Sequence, residues 1–220
     1  MDKKKQLFVV GIGASAGGLD AVQQLFDNLP DETGMAFVIV QHLSPDFKSL
    51  MPELLAKHTK MKIYTAKDQL EIQPNCIYLN ERSKNLQIEN NRLVLPEKAS
   101  KGNLNLPIDI FFHSLGEEFM DFSYGIILSG TGTDGSRGIK TIKEAGGTIM
   151  VQEPATAQFD GMPNSAIATN LPDFILPPKQ IAEKIIQHKN KRIDLVSDSQ
   201  KSDDYEKVYD SILELIYKST

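Results

Sequence analysis

The sequence predicts an α/β fold, doubly wound about a mainly parallel sheet of about seven strands with flanking helices and an added antiparallel hairpin. Three observations carry that expectation. Short β-branched and aromatic runs alternate with stretches of helical periodicity from Leu7 to about His188, the pattern of βα units feeding a parallel sheet. The first of these runs leads straight into a glycine-rich turn. The alternation breaks only in the middle, where short apolar runs flank Asn90-Asn91. With 220 residues, 40% of them hydrophobic, the chain can bury a substantial core as one main domain.

Residues 7–11 read as a buried strand, followed by a helix with Leu19, Val22, Leu25, Phe26 and Leu29 along one face and Pro30 as its stop. Residues 37–40 form the second strand. Met51, Leu54 and Leu55 line the next helix, which Pro52 starts or bends, and a third strand falls near Ile63. Cys76–Leu79, with alternating Leu86, Ile88, Leu93 and Leu95 around Asn90-Asn91, reads as antiparallel pairing closed by a tight turn. Pro107–Phe119 is helical and residues 124–129 are strand. Ile139, Ile142 and Ala145 lie on a helix closed by Gly146-Gly147 as a left-handed cap. Residues 148–151 and Phe174–Leu176 are further strands, and a last helix carries Ile181, Ile185 and Ile186. Residues 1–188 thus make one domain. Residues 189–204 are polar and charged with little to bury, which marks a linker. Over residues 205–220, Tyr205, Val208, Tyr209, Ile212 and Ile216 form an apolar helical stripe that either docks on the main domain or opens a following one.

A net charge of −5, with only residues 3–5 as a basic run, argues against nucleic-acid binding, which needs Lys and Arg clustered on one face. The lone Cys76 excludes an internal disulfide and suits a reducing compartment as a small buried hydrophobe. No apolar run approaches the roughly 20 residues that span a bilayer, and the first residues lack a signal-peptide pattern. A cytoplasmic location without membrane insertion is expected.

In an open parallel sheet, reacting groups gather beyond the carboxyl ends of the strands, where the strand order reverses. Three stretches place polar residues there: residues 11–18 (GIGASAGG) after the first strand, Gln41-His42 after the second, and residues 129–135 (SGTGTDG) after a later one. Each offers one member of a Ser/His/Asp set: Ser15, His42 and Asp134. Glycines around Ser15 permit a sharp strand-to-helix turn that exposes the hydroxyl and leaves helix amides free to donate to an oxyanion. A serine hydroxyl needs a base, and an imidazole needs a carboxylate to fix its tautomer. Each part taken alone has a plainer reading. The glycine-rich turn alone suits phosphate or dinucleotide binding, but that fingerprint wants an acidic residue about 20 residues on, where Gln41 and His42 stand instead. His42 alone would be a structural histidine and Asp134 alone a helix cap. Their conjunction favours hydrolysis. His58, His113 and His188 fall on expected helices and read as packing or surface residues.

The segments VVGIGASAGG, FVIVQHLSP, ILSGTGTDGSRGI and QEPATAQFDGMPNSAI, in this order over residues 7–188, resemble the catalytic domain of CheB-type receptor methylesterases. The resemblance implies Ser15 as nucleophile, His42 as general base and Asp134 as the residue orienting that base. It also implies the main-chain amides of Ala16 and Thr131 as an oxyanion hole, and Phe159, Gly161, Met162 and Pro163 as the segment shaping the substrate cleft. The family usually has a hydroxyl residue where Ala16 stands and a methionine where Thr131 stands; backbone donors survive both changes. Members hydrolyse glutamate methyl esters on cytoplasmic receptor helices, many also deamidate glutamine, and none of this requires a metal or organic cofactor. The expected partners are methylated receptor or sensor helices.

Two departures from the family pattern shape further expectations. Stand-alone members begin with a receiver domain, whereas here the first strand starts within ten residues of Met1, so a phosphoryl switch within the chain is not expected. GASAGGLDA, QHLSPDFKSL and YDSILELIYKST look more like the module at the front of fusions with a CheR-type methyltransferase domain. The rival reading within the same fold is a docking or sensory module with a vestigial triad. A nucleotide-binding domain is the other.

Overall fold

The computed structural model describes residues 7–42, 50–98 and 105–194. β1 (Phe8–Ala14) is buried at all seven positions, as a continuous apolar run must be when helices cover both faces of a parallel sheet. It pairs in parallel with β2 (Met35–Gln41) on one side and β8 (Ser123–Ile127) on the other. β2 continues to β5 (Cys76–Leu79) and then to β3 (Lys62–Thr65), while β8 continues to β9 (Thr148–Gln152) and β10 (Phe174–Leu176). The seven strands, all parallel, stand in the order β10-β9-β8-β1-β2-β5-β3. The chain therefore winds outward from β1 in one direction and returns to wind outward in the other. The reversal falls between β1 and β8.

Helices fill in the layers. α1 (Gly18–Phe26) buries Ala21, Val22, Leu25 and Phe26, the expected apolar face. α2 (Met51–Leu55) carries Pro52 in its first turn, where the missing amide proton costs no hydrogen bond. α3 (Pro107–Phe119) has the expected bounds, and its Ile108, Phe111, Phe112 and Leu115 enter the core. α4 (Gly138–Glu144) gives way at Ala145 to Gly146, whose φ of 85° closes it in the left-handed region, and α5 (Gly161–Ile167) follows β9.

The middle of the chain differs from the expectation in one respect. Cys76–Leu79 is a parallel strand of the main sheet, paired with β2 and β3, and takes no part in antiparallel pairing. All four of its residues are buried, and such a run belongs in a sheet interior, not on a half-exposed hairpin. The hairpin itself forms as expected. β6 (Gln87–Glu89) and β7 (Arg92–Val94) pair antiparallel, with Asn90 and Asn91 at φ 51° and 60°, the double positive-φ turn that suits the twist of two strands. Together with β4 (Leu70–Glu71), too short to show a period, they make a separate three-stranded sheet in the order β4-β7-β6. This sheet is fixed to α3: Ile88 N donates to Ser114 Oγ at 3.1 Å and Asn91 N to Glu118 Oε1 at 2.8 Å.

Contacts divide the chain into two units, 1–183 and 184–220. The first holds both sheets and the start of the last helix, where Ile181 and Ala182 are buried. The second is described over its helical residues 184–194. Helix thus extends six residues into the stretch read as a linker, where Lys189, Lys191 and Arg192 are good helix formers. Residues 195–204 and the stripe from Tyr205 to Ile216 lie outside the described residues. No helix among the described residues is long and apolar enough to cross a membrane.

Candidate active site

Three turns leave the carboxyl ends of β1, β2 and β8, the three neighbouring strands that flank the reversal of strand order. After β1, Ser15 N donates to Ser129 O at 3.0 Å, and Ser15 O accepts from Gly18 N at 2.9 Å, which bends the chain into α1. Gly17 makes the bend with φ 67°, and a Cβ there would lie 2.7 Å from Gln158 Cβ and 2.8 Å from Ser129 Oγ. Only glycine fits. On the turn after β8, Gly130 lies so close that a Cβ on it would run into Met162 Sδ and lie 3.0 Å from Ser15 Cβ.

His42 follows β2, and its ring reaches both other members. Nδ1 stands 3.2 Å from Ser15 Oγ and Nε2 stands 2.8 Å from Asp134 Oδ2. The imidazole is 36% exposed and the carboxylate 2%. The ring is open to solvent on one side while the carboxylate it bonds is buried. Asp134 accepts two more hydrogen bonds, from Ile108 N to Oδ2 at 3.0 Å and from Asp109 N to Oδ1 at 2.9 Å. These amides belong to the first turn of α3, which has no helical partners for them, so one carboxylate satisfies a helix end and orients a histidine. With Asp134 accepting from Nε2, the proton of the neutral ring lies on that edge and Nδ1 is free to accept.

The backbone that holds these groups is tied in turn. Asn80 Oδ1 accepts from Gln41 N and Asn80 Nδ2 donates to Gln41 O, both at 3.0 Å, which pins the residue before His42. Asp109 Oδ1 accepts from Arg137 N at 2.9 Å and Gly138 N at 2.7 Å, closing the turn that carries Asp134. Burial, the largest influence on Asp109, raises its pKa above the ordinary 3.8; the Gly138 amide pulls it down and the nearby Asp134 charge pushes it up. Among the described residues no cluster of His, Cys, Asp or Glu is arranged to hold a metal ion.

Ser15, His42 and Asp134, drawn from segments as far apart as 15 and 134 in the chain, meet at one edge of the sheet. Ala16 and Thr131 lie on the two turns facing each other, and their amide groups make no hydrogen bond among the described residues. Phe159 is 41% exposed and its main chain bonds to Ser129 and Gly130, whereas Met162 and Pro163 are buried in α5 behind that turn. His113 and His58 lie elsewhere. His113 bonds to Thr141 on α4, and His58, just past the end of α2 and not on it, bonds to Asp27. Asn80, Asp109 and the bonding of Ser129 escape sequence reasoning, because each acts across a tertiary contact that no local spacing marks.

A family model described as CheB methylesterase matches residues 10–185. A Leptospira interrogans protein provisionally named protein-glutamate methylesterase/protein-glutamine glutaminase is 35% identical over 177 residues, 80% of this chain and 92% of that one. A Saccharophagus degradans protein-glutamate methylesterase/protein-glutamine glutaminase is 29% identical over 82% of this chain, which spans about half (53%) of that protein. An uncharacterized 104.1 kDa protein of Rhodobacter capsulatus is 39% identical over 63% of this chain and 14% of its own length. Among solved structures, the catalytic domain of Thermotoga maritima CheB methylesterase superposes with a TM-score of 0.77 at 28% identity, covering 82% of this chain and 98% of that one.

Proposed function

The chain belongs to the CheB methylesterase family, and we propose that it hydrolyses methyl esters of glutamate side chains through Ser15, His42 and Asp134. The observation that carries this reading is the unbroken relay of 3.2 Å from hydroxyl to imidazole and 2.8 Å from imidazole to carboxylate. Ser15 Oγ bonds to the ester carbonyl carbon as its proton passes to His42 Nδ1 and the carbonyl electron pair moves to oxygen. The Ala16 and Thr131 amides receive that oxyanion. Collapse of the tetrahedral adduct breaks the bond to methoxide, which takes the proton back from His42 and leaves as methanol. Water, deprotonated by the same ring, then frees the glutamate and restores Ser15. Asp134 holds the ring and stabilises the imidazolium in both halves. The ring presents Nδ1 to the serine and Nε2 to the carboxylate, the reverse of the protease arrangement, and either edge of an imidazole can carry the proton.

The names of the relatives favour receptor glutamates as substrates and glutamine deamidation as a second activity of the same site. Deamidation follows the same course with ammonia as leaving group. Phe159, exposed beside the turn, borders the cleft, and buried Met162 and Pro163 shape it from behind. Methylated receptor or sensor helices in the cytoplasm are the partners this reading requires. A match confined to 14% of the Rhodobacter protein supports the domain as a module that longer chains can carry, and a fused methyltransferase-type domain is part of this proposal.

The test is methanol release from a peptide bearing glutamate γ-methyl ester. Wild-type protein is expected to release it, and Ser15→Ala to lose at least about 1,000-fold of the rate. Equal background rates in the two proteins would mean a binding module and would end the hydrolytic reading.

A further inference from the structure

Ser129 follows β8 at the reversal of strand order, and it is almost wholly buried. Its hydroxyl donates to Ala16 O at 2.9 Å, with Phe159 O as a longer alternative at 3.3 Å, and accepts from Phe159 N at 3.0 Å. Its main chain reaches two further segments. Ser129 O accepts from Ser15 N at 3.0 Å, and Ser129 N donates to Gln152 Oε1 at 2.8 Å. Gln152, buried at the end of β9, is itself held, because its Nε2 donates to Thr156 O at 3.0 Å. One residue thus joins the nucleophile turn, the turn that leads to Asp134, and the segment that presents Phe159.

The Ser15–His42–Asp134 relay does not use this hydroxyl, which also holds the main chain of Phe159. Its placement bears on the oxyanion hole. The two amides assigned to that hole come from separate turns, Ala16 after β1 and Thr131 after β8, and nothing covalent fixes their spacing over 115 residues of chain. The hydroxyl bond from Ser129 Oγ to Ala16 O spans from one turn to the other, two residues before Thr131. The peptide plane before Ala16, which carries its N–H, is tied at Ser15 O by Gly18 N, and the plane after it is tied at Ala16 O by Ser129 Oγ, so the two bonds together hold the Ala16 amide relative to the turn that carries Thr131. Oxyanion donors act only within a narrow range, about 2.7–3.1 Å from the developing charge, so a loose spacing forfeits stabilisation in the transition state while leaving substrate binding alone.

We propose that Ser129, seated on Gln152, is a positioning residue that sets the spacing of the Ala16 and Thr131 amides. The inference rests on the reading of Ser15 as nucleophile. A hydroxyl that merely satisfied buried polar groups would affect stability alone, so the kinetic split separates the two roles.

The experiment measures kcat and KM for a glutamate γ-methyl ester peptide in wild type, Ser129→Ala and Ser15→Ala, with thermal melts and rates of labelling by a fluorophosphonate. Ser129→Ala is expected to lose about 10 to 100-fold in kcat with KM within about two-fold, since displacements near 1 Å in a positioned site cost on that order. Labelling is expected to slow by a similar factor, because the phosphonyl oxygen enters the same hole. Should Ser129→Ala not fold, Ser129→Cys keeps a weak donor on a slightly larger side chain and is expected to show the same split. Either variant, folded and within about two-fold of wild-type kcat and labelling rate, overturns the inference while the parent reading stands. An inactive wild type, or an active Ser15→Ala, overturns the parent reading instead.

Discussion

Asp109 and Asp134 share the start of α3 but live in different company. Asp134 accepts two helix amides and the His42 ring, so each of its oxygens faces at least one donor. Asp109 spends Oδ1 on two amides of the α4 turn and leaves Oδ2 buried with no hydrogen-bond partner among the described residues. Burial therefore dominates and raises its pKa, and the Asp134 charge adds to the rise against the pull of the Gly138 amide. An acid with a raised folded-state pKa binds protons more tightly folded than unfolded, so its ionisation erodes stability as pH climbs from 3.8 through the folded value. Asp109→Asn keeps an acceptor for Arg137 N and Gly138 N but cannot ionise. The difference in melting temperature, variant minus wild type, is expected to become more positive from about pH 3.5 to about pH 7; a difference that stays constant or falls would contradict it. At this scale the sequence was most legible where a polar residue follows a strand. Ser15, His42 and Asp134 each stand past an apolar run and beside glycines or a polar neighbour. Asn80 and Asp109 carry no such mark, because their partners Gln41 and Gly138 are supplied by the fold.

Secondary elements were legible in proportion to their period. The α1 stripe, the bounds of α3 and the Asn90-Asn91 turn could all be read in advance because spacing, Pro107 and paired asparagines are local signals. β5 is not legible as a strand of the main sheet because a four-residue apolar run is equally compatible with a hairpin and with a sheet interior until its neighbours are known. β4, with two residues, offers no period at all. The hairpin permits an element-scale test. Asn90→Val puts a β-branched residue at φ 51°, with a cost of about 1–2 kcal/mol. For a chain of this size that is about 2–8 °C in melting temperature. The hairpin is fixed to the Ser114 and Glu118 end of α3, whereas Asp134 is held at the Ile108 and Asp109 end. Esterase kcat at a temperature well below the melt is therefore expected to be unchanged; a fall in kcat without a fall in stability would show that the two ends of α3 are coupled.

For the whole molecule, the winding decides where chemistry can happen. β1 leads outward through β2 and β8 leads outward the other way, so the turns after these neighbouring strands meet at the point where the strand order reverses, with Ser15 N bonded to Ser129 O. Parallel winding was legible from the alternation of strand and helix, and with it the end of the sheet at which Ser15, His42 and Asp134 would gather. The insertion of β5 between β2 and β3, and the separation of the small sheet, were not, because strand order depends on long-range pairing that leaves no trace in local spacing. The assembly of distant turns into a hydrolytic relay is the claim on which the functional account depends, and it is tested most directly by locating a covalent adduct. Treatment with a fluorophosphonate followed by peptide mass mapping is expected to give one adduct, on Ser15, formed at least about 100-fold more slowly in His42→Gln. An adduct on another residue, or equal labelling rates with and without His42, would contradict it.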